Sequence, residues 1–269
     1  MRVPFIKMHG LGNDFVIIDS RRARLPQLNA TIRSALADRQ TGIGCDQLIL
    51  LEESTLADVR MRIFNSDGIE ASACGNATRA IGVLEGRAVT IETKGGIVSA
   101  EPEHGGISVD MGTPAFEWDR IPLAYAMDTT AMPVTWGGLP SPDAVNVGNP
   151  HIVFFVNDIG AVPLAELGPQ IEQDDLFPDR INVNIAEVTG HQTLTLRVWE
   201  RGAGLTRACG TGACATAVAA LRRKLVASPV AVSLPGGVLS VAWDGCGSVV
   251  MNGPAAEAFR GSFDMKDYA

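Results

Sequence analysis

The sequence predicts two tandem copies of one α+β unit, and three observations carry that prediction. Arg62–Cys74, RIFNSDGIEASAC, aligns without a gap on Arg197–Cys209, RVWERGAGLTRAC, at an offset of 135 positions. The register holds on either side. Gln47-Leu48-Ile49 falls on Asn182-Val183-Asn184 at 135, Gly12-Asn13 on Gly148-Asn149 at 136, Val89–Ala100 on Val230–Val241 at 141, and Met111 and Pro114 on Met251 and Pro254 at 140. Finally, each copy alternates short strand-like runs with a single helix start placed directly after a cysteine. The period is far longer than that of solenoid repeats, so each copy is a domain, and 269 residues suit two domains of ordinary size. The expected division is 1–115, carrying Cys74, and 116–258, carrying Cys209, with 259–269 crossing back to the first domain as an edge strand. The growth of the offset from 135 to about 141 lies between the cysteine and the Gly-Gly turn, which predicts a second helix, or an exit from it, roughly six residues longer.

Taken in order, Phe5–Met8 reads as a strand, His9–Phe15 as a Gly-rich turn and Val16–Asp19 as an apolar strand. Asn29–Gln40 has helical spacing, with Ile32, Ala35 and Leu36 inward and Asn29 as the cap. Strands follow at Gln47–Leu51 and Val59–Phe64, then a loop to Cys74 and a helix over Asn76–Leu84. Val89–Glu92 and Ile97–Glu101 form a hairpin around Lys94-Gly95-Gly96, and Ile107–Met111 closes the copy. Thr113–Ile121 is the candidate linker. The second copy repeats the scheme with a Gly-Asn turn at Asn146–Asn149, a strand at His151–Val156, a helix over Val162–Ile171 broken at Gly168-Pro169, strands at Ile181–Ala186 and Thr193–Glu200, the helix after Cys209, and a hairpin at Gly236-Gly237.

The chemistry is concentrated in Glu200–Ala217, ERGAGLTRACGTGACATA. Cys209 sits ahead of a helix whose Ala, Val and Leu residues run all round it, a pattern tolerated only where protein surrounds the helix. The basic triplet Arg222-Arg223-Lys224 suits the C-terminal end of its dipole. The opposite end leaves backbone N–H groups unpaired. Those groups can hold a carboxylate, and they can tune a thiol placed among them. Cys74, followed by Gly75 as Cys209 is followed by Gly210, makes the same arrangement in the first copy. Two thiols at equivalent places in duplicated domains suggest a pseudo-twofold axis with one thiol on each side. That geometry suits inversion at a carbon: one thiolate removes a proton and the opposite thiol returns one to the other face. The N–H groups of Gly75-Asn76 and Gly210-Thr211 would stabilise the growing negative charge.

Composition excludes several other classes. Net charge is −8, and no lysine- or arginine-rich stripe is present, which argues against nucleic acid as a partner. Arg21, Arg22 and Arg24 read as solvated loop charges. No apolar run approaches the roughly 20 residues of a membrane span, and the N-terminus does not read as a signal peptide. Five scattered cysteines do not suggest a disulfide framework, so a reducing cytoplasm is the expected location. The Cys and His spacings do not suit zinc, the glycines do not match a nucleotide fingerprint, and no lysine motif for a pyridoxal cofactor stands out. The expectation is therefore an enzyme with neither cofactor nor metal.

The stretches MHGLGNDF, FNSDGIEASACGNATR, VNVGNPH and ERGAGLTRACGTGACA resemble those of the diaminopimelate epimerase family, in order and over essentially the whole chain. The resemblance implies two similar α+β domains, each a curved, mostly antiparallel sheet wrapped around a central helix. It implies a cofactor-independent two-base epimerase interconverting LL- and meso-diaminopimelate for lysine and peptidoglycan precursor synthesis. Carried onto this sequence, the catalytic thiols are Cys74 and Cys209. The substrate contacts are Asn13, Gln47, Asn65, Asn149 and Asn182, with Glu200 and Arg201 holding the distal amino-acid end. Gly75, Asn76, Gly210 and Thr211 would bind the reacting carboxylate through their backbone, and His151 would support the site. A homodimer is implied as well.

Other readings of these residues stand beside this one. A lone cysteine is more often a small buried hydrophobe than a catalyst; the symmetric placement of Cys74 and Cys209 is what weighs against that. Cys214 reads as core, Cys246 as structural and Cys45 as partly exposed. The Glu200-Arg201 pair could be a solvated ion pair, yet its counterpart Asn65-Ser66 is uncharged, and such a break in the repeat suits an asymmetric zwitterionic ligand. A proline-type racemase shares the two-thiol plan but has no distal charged end to bind. A dithiol protein with a switchable Cys74–Cys209 bond is the alternative from another class.

Overall fold

The structure, a computed structural model, describes residues 1–21, 25, 28–71 and 74–268. Arg22 and Arg24, expected as solvated charges, and Ala269, at the end of the expected edge strand, lie outside the described residues. The chain divides into two compact units, Met1–Val109 with Gly253–Ala269, and Asp110–Asn252.

In the first unit the order is β1 (Arg2–Gly10), β2 (Asn13–Asp19), α1 (Ala30–Ala37), β3 (Gln47–Glu52), β4 (Val59–Asn65), β5 (Glu70–Ala71), α2 (Gly75–Glu85), β6 (Val89–Thr93), β7 (Gly96–Glu103) and β8 (Gly106–Asp110). The second contains β9 (Asp143–Asn146), β10 (Pro150–Phe155), α3 (Leu164–Glu172), β11 (Asn182–Gly190), β12 (Thr193–Glu200), β13 (Gly204–Thr206), α4 (Gly210–Arg222), β14 (Val230–Leu234), β15 (Gly237–Ala242) and β16 (Val250–Gly253). The last strand, β17 (Ala256–Asp264), runs antiparallel to β1 and so belongs to the first unit.

The duplication is visible in strand register. Phe15 pairs with Gln47 across the parallel β2–β3 pair, and His151 pairs with Asn182 across the parallel β10–β11 pair. Val59 pairs with Ile91, and Leu194 with Val232, in the other parallel pair of each unit. The remaining pairs described within each unit are antiparallel. Each sheet curves around one helix: α2 packs on β1, β6, β7 and β17, and α4 on β9, β10, β11, β12, β14 and β15. The residues of α4 from Gly212 to Ala220 are all buried, as an apolar surface all round a helix requires. Leu36, Ile32, Val16, Ile18 and Leu48 build a core beneath α1, and Leu164, Ile171, Phe154, Ile152 and Val183 build one beneath α3.

The expected lengthening after the second cysteine is shared between two places. The helix α4 has 13 residues against 11 in α2. The rest lies in the exit, which is Arg223–Pro229 in the second unit and only Gly86–Ala88 in the first.

Several expectations need correction. α1 stops at Ala37 rather than Gln40, because the Asp38 carboxylate takes the N–H groups of Gln40 and Thr41 into a local turn; its cap is Asn29, whose Oδ1 accepts from Ile32 N–H at 2.9 Å. Part of the expected loop before Cys74 is the short strand β5, tied to β4 by a bidentate Arg62–Glu70 pair. Thr113–Ile121 is no free linker: Ala115 bridges to Asn146 and Ile121 is buried, while Met111 and Gly112 both bond Val249. These contacts place the division between units ahead of that segment. The helix α3 also runs unbroken through Gly168-Pro169. Gly168 serves contact rather than breakage, since a Cβ there would lie 2.5 Å from Trp199 Cδ2. Pro169 removes one backbone donor and the helix continues past it.

Candidate active site

Both thiols sit at helix N-caps with extended backbone, because a side chain there can accept from the N–H groups that the first turn leaves over. Cys74 Sγ accepts from Ala77 N–H at 3.4 Å, and Cys209 Sγ from Gly212 N–H at 3.3 Å. Helix geometry aims the neighbouring N–H groups, those of Gly75-Asn76 and Gly210-Thr211, along the same axes, where the positive dipole ends favour an anion.

The two surroundings then diverge. In the first unit the Cys74 thiol faces Asn13 Oδ1 at 3.9 Å, and Asn76 Nδ2 donates to the same oxygen at 3.0 Å. The fully buried Arg79 guanidinium donates to Asn76 Oδ1 at 2.8 Å, fixing which end of that amide turns to Asn13. Asn13 Nδ2 donates to Asp46 at 3.0 Å. Arg39 bridges Asp46 and Asp14, and Lys7 pairs with Asp14. Burial alone would raise Asp14, but Arg39 and Lys7 outweigh it and hold that carboxyl at about 2. Gln47 and Asn65 form a separate pair across β3 and β4, with Gln47 Nε2 donating to Asn65 Oδ1 at 3.1 Å.

In the second unit Cys209 is buried and also meets the Thr211 hydroxyl at 3.4 Å. Burial, and next the charge of Glu200, push its pKa well up, while Thr211 and Gly212 N–H pull weakly the other way. The Glu200 side chain is itself a hydrogen-bond partner of this thiol. A Cβ on Gly212 would lie 2.8 Å from Asn184 Oδ1, so glycine is what lets the helix start approach that buried amide. His151 is fully buried and its pKa is lowered to about 3 by burial, against an opposing bond from Asn184 and with a lesser push downward from the Arg201 charge. Asn184 Nδ2 donates to His151 Nδ1 at 3.1 Å and to Ile152 O at 3.0 Å, which assigns the imidazole proton to Nε2, facing Asn149 Oδ1 at 2.9 Å. Asn182 Nδ2 donates to Pro150 O, and its Oδ1 accepts from Arg201 N–H at 3.0 Å.

Asn13, Asn76 and Cys74 are thus brought together in one unit, and Cys209, Thr211 and Glu200 in the other. Asn149 with His151, and Asn182 with the Arg201 backbone, make two further groups. Arg79, Asp46 and Asn184 were not singled out from the sequence. Only Arg79 left a signal there, three residues after Asn76 on one helix face. Cys45, expected partly exposed, is buried and its pKa is raised to about 11 by burial, whereas Cys246, expected to be structural, is exposed. Among the described residues no cluster of His, Cys, Asp and Glu suits a metal ion, and no helix is long and apolar enough to cross a membrane.

A family model described as "Diaminopimelate epimerase" matches residues 5–117 and 143–257. Among curated relatives, the diaminopimelate epimerase of Erythrobacter litoralis is 62% identical over 269 residues, covering 100% of both chains. That of Rhizorhabdus wittichii is 58% identical, covering 100% of this chain and 98% of its own. Of solved structures, a Bacillus anthracis phenazine biosynthesis protein of the PhzF family superposes with a TM-score of 0.69 at 16% identity, covering 98% of this chain and 100% of that one. A hydroxyproline epimerase from Agrobacterium vitis gives 0.69 at 15% identity, covering 100% and 94%. At such identities these last two speak for the fold alone.

Proposed function

The chain belongs to the diaminopimelate epimerase family, and on that premise we propose that it interconverts LL- and meso-diaminopimelate by two-base chemistry at Cys74 and Cys209, without a cofactor. The observation that carries the assignment of the thiols is their shared position: each caps the N-terminus of the one helix that its unit's sheet encloses. A thiol there lies beside N–H groups able to bind the α-carboxylate, so the group that abstracts the α-proton and the groups that stabilise the resulting carbanion come from one helix turn.

The proton inventory follows from the surroundings. Burial and Glu200 favour the protonated form of Cys209, so at rest this thiol is an acid and Glu200 carries the charge. In one direction Cys74, as the thiolate accepting from Ala77 N–H, takes the α-proton, and Cys209 delivers its own proton to the opposite face of the carbon. The roles exchange in the reverse direction, and each turnover leaves the thiols in swapped protonation states.

Asn13, Gln47, Asn65, Asn76, Asn149 and Asn182 are assigned to substrate binding, with Gly75, Gly210 and Thr211 at the reacting carboxylate and His151 in support. Glu200 and Arg201 take the distal ammonium and carboxylate, the point where the repeat departs from its uncharged Asn65-Ser66 counterpart. The proposal includes a cytoplasmic homodimer serving lysine and peptidoglycan precursor synthesis; sedimentation at about twice 28.4 kDa is the corresponding result. The activity is tested by incubating reduced protein with LL-diaminopimelate and resolving isomers by chiral chromatography. Meso product supports the reading, and none, with free thiols confirmed, removes this substrate.

A further inference from the structure

The turn that carries Glu200 and Arg201 is held from beneath by a carboxylate outside the site. Glu172, the last residue of α3, is buried at 4% exposure. Its Oε2 accepts from Trp199 Nε1–H at 2.7 Å and its Oε1 from Gly202 N–H at 3.0 Å. Trp199 and Gly202 flank Glu200 and Arg201, so one carboxylate grips both ends of the charged pair. The neighbouring N–H, that of Arg201, goes to Asn182 Oδ1. The Trp199 ring lies so close against Gly168 that a Cβ there would come within 2.5 Å of its Cδ2.

The equivalent turn in the first unit is built differently. Asn65-Ser66-Asp67-Gly68 holds itself: Asp67 Oδ1 accepts from Ile69 N–H at 2.8 Å, and Gly68 N–H bonds Asn65 O. In the second unit glycine stands where Asp67 would be, and the position matching Glu172 falls in α1 at apolar Leu36-Ala37. A buried carboxylate thus lies beneath the turn that carries Glu200 and Arg201, whereas the turn of the first copy is held by its own Asp67. Burying a carboxylate is costly unless it is hydrogen-bonded, and this one gives an oxygen to each end of the turn while Oε1 also meets Arg180 Nη1 at 3.7 Å.

We propose that Glu172 is a positioning residue for recognition of the substrate's distal end, acting through the backbone of the 199–202 turn on the placement of Arg201. This rests on the assignment of Arg201 and Glu200 made above. Glu172 touches no reacting atom, so its loss weakens binding and leaves the chemical step intact.

The test uses the full chain with Glu172→Gln, which keeps the shape but surrenders the charge and one acceptor. With LL-diaminopimelate the KM rises about 10-fold while kcat stays within about twofold. In the Arg201→Lys background the same change adds little further loss, because both act through one contact. Trp199→Phe, which deletes one donor and keeps the ring on Gly168, moves KM the same way by less and remains informative if the Gln variant does not fold. A fall in kcat at unchanged KM, or fully additive losses with Arg201→Lys, overturns the proposal. Wild-type protein inert toward diaminopimelate overturns instead the function on which it rests.

Discussion

Asn13 and Asn149 occupy equivalent positions in the two repeats and present opposite ends of their amides. Asn13 gives its Nδ2 to Asp46 and turns Oδ1 toward Cys74, whereas Asn149 spends its Oδ1 on His151 Nε2–H. The residues responsible are polar in one copy and apolar in the other: Asp46 falls on Ile181, while His151 and Asn184 fall on Phe15 and Ile49. One ancestral pattern has therefore been made chemically unlike in its two halves, so that two like ends of one substrate can meet unlike surroundings.

Asp46 is accordingly expected to matter without touching substrate. Asp46→Leu removes the acceptor of Asn13 Nδ2 and lets the Asn13 amide turn, so kcat/KM should fall about 10-fold or more. Asp46→Asn, which still offers an acceptor to Asn13 Nδ2, should lose much less. Steady-state kinetics on both variants, with melting temperatures alongside, decide the matter.

His151 should remain neutral far below the usual histidine range. Unfolded chain takes up a proton near pH 6.5, whereas the folded ring does so only at about 3. The unfolded state binds more protons between those values, so this residue's contribution to stability is complete above pH 6.5 and declines as pH falls toward 3. Nitrogen chemical shifts of the imidazole should show the Nε2–H tautomer at pH 5, and an imidazolium at that pH would refute the assignment.

The Cys209 thiol should gain reactivity when Glu200 loses its charge. Glu200→Gln removes the second-largest cause of the raised pKa and leaves burial, the largest, in place. The pH profile of iodoacetamide labelling at Cys209, followed by peptide mass mapping, should shift to lower pH. Exposed Cys246 provides the unprotected reference in the same digest.

The tight contact of α3 on Trp199 gives a prediction about stability. Gly168→Ala would ordinarily help a helix by about 0.5–1 kcal/mol. Here the added methyl meets the indole at 2.5 Å, and Glu172 anchors that indole at its other edge. Overpacking of about 1–3 kcal/mol should win, lowering the denaturant midpoint; an unchanged midpoint would mean that the indole yields freely.

What could be read from the sequence was whatever repeats or has a period. The duplication, the two cysteine-capped helices, the Asn29 cap and the Gly-Gly hairpin all leave local signals from which the fold class follows, while the family follows from the resemblance of its motifs. Residues that act across strands left none. Nothing near Asp46 in TGIGCDQ announces that it orients Asn13, 33 positions earlier, and Glu172 closes a helix whose Gly-Pro reads locally as a break. The purpose of Gly168 appears only once Trp199 lies on it. The Thr113–Ile121 stretch lacks a periodic pattern yet packs on the second unit through a single bridge at Ala115 and the buried Ile121.

The most direct test of two-base chemistry is made in heavy water. Reduced wild-type protein and the single variants Cys74→Ser and Cys209→Ser are incubated with LL-diaminopimelate. α-Deuterium is followed by mass spectrometry, and the meso isomer by chiral chromatography. The account predicts deuterated meso product from wild type and a loss of epimerisation of at least about 100-fold in each variant. Meso product forming at wild-type rate in either variant would contradict it.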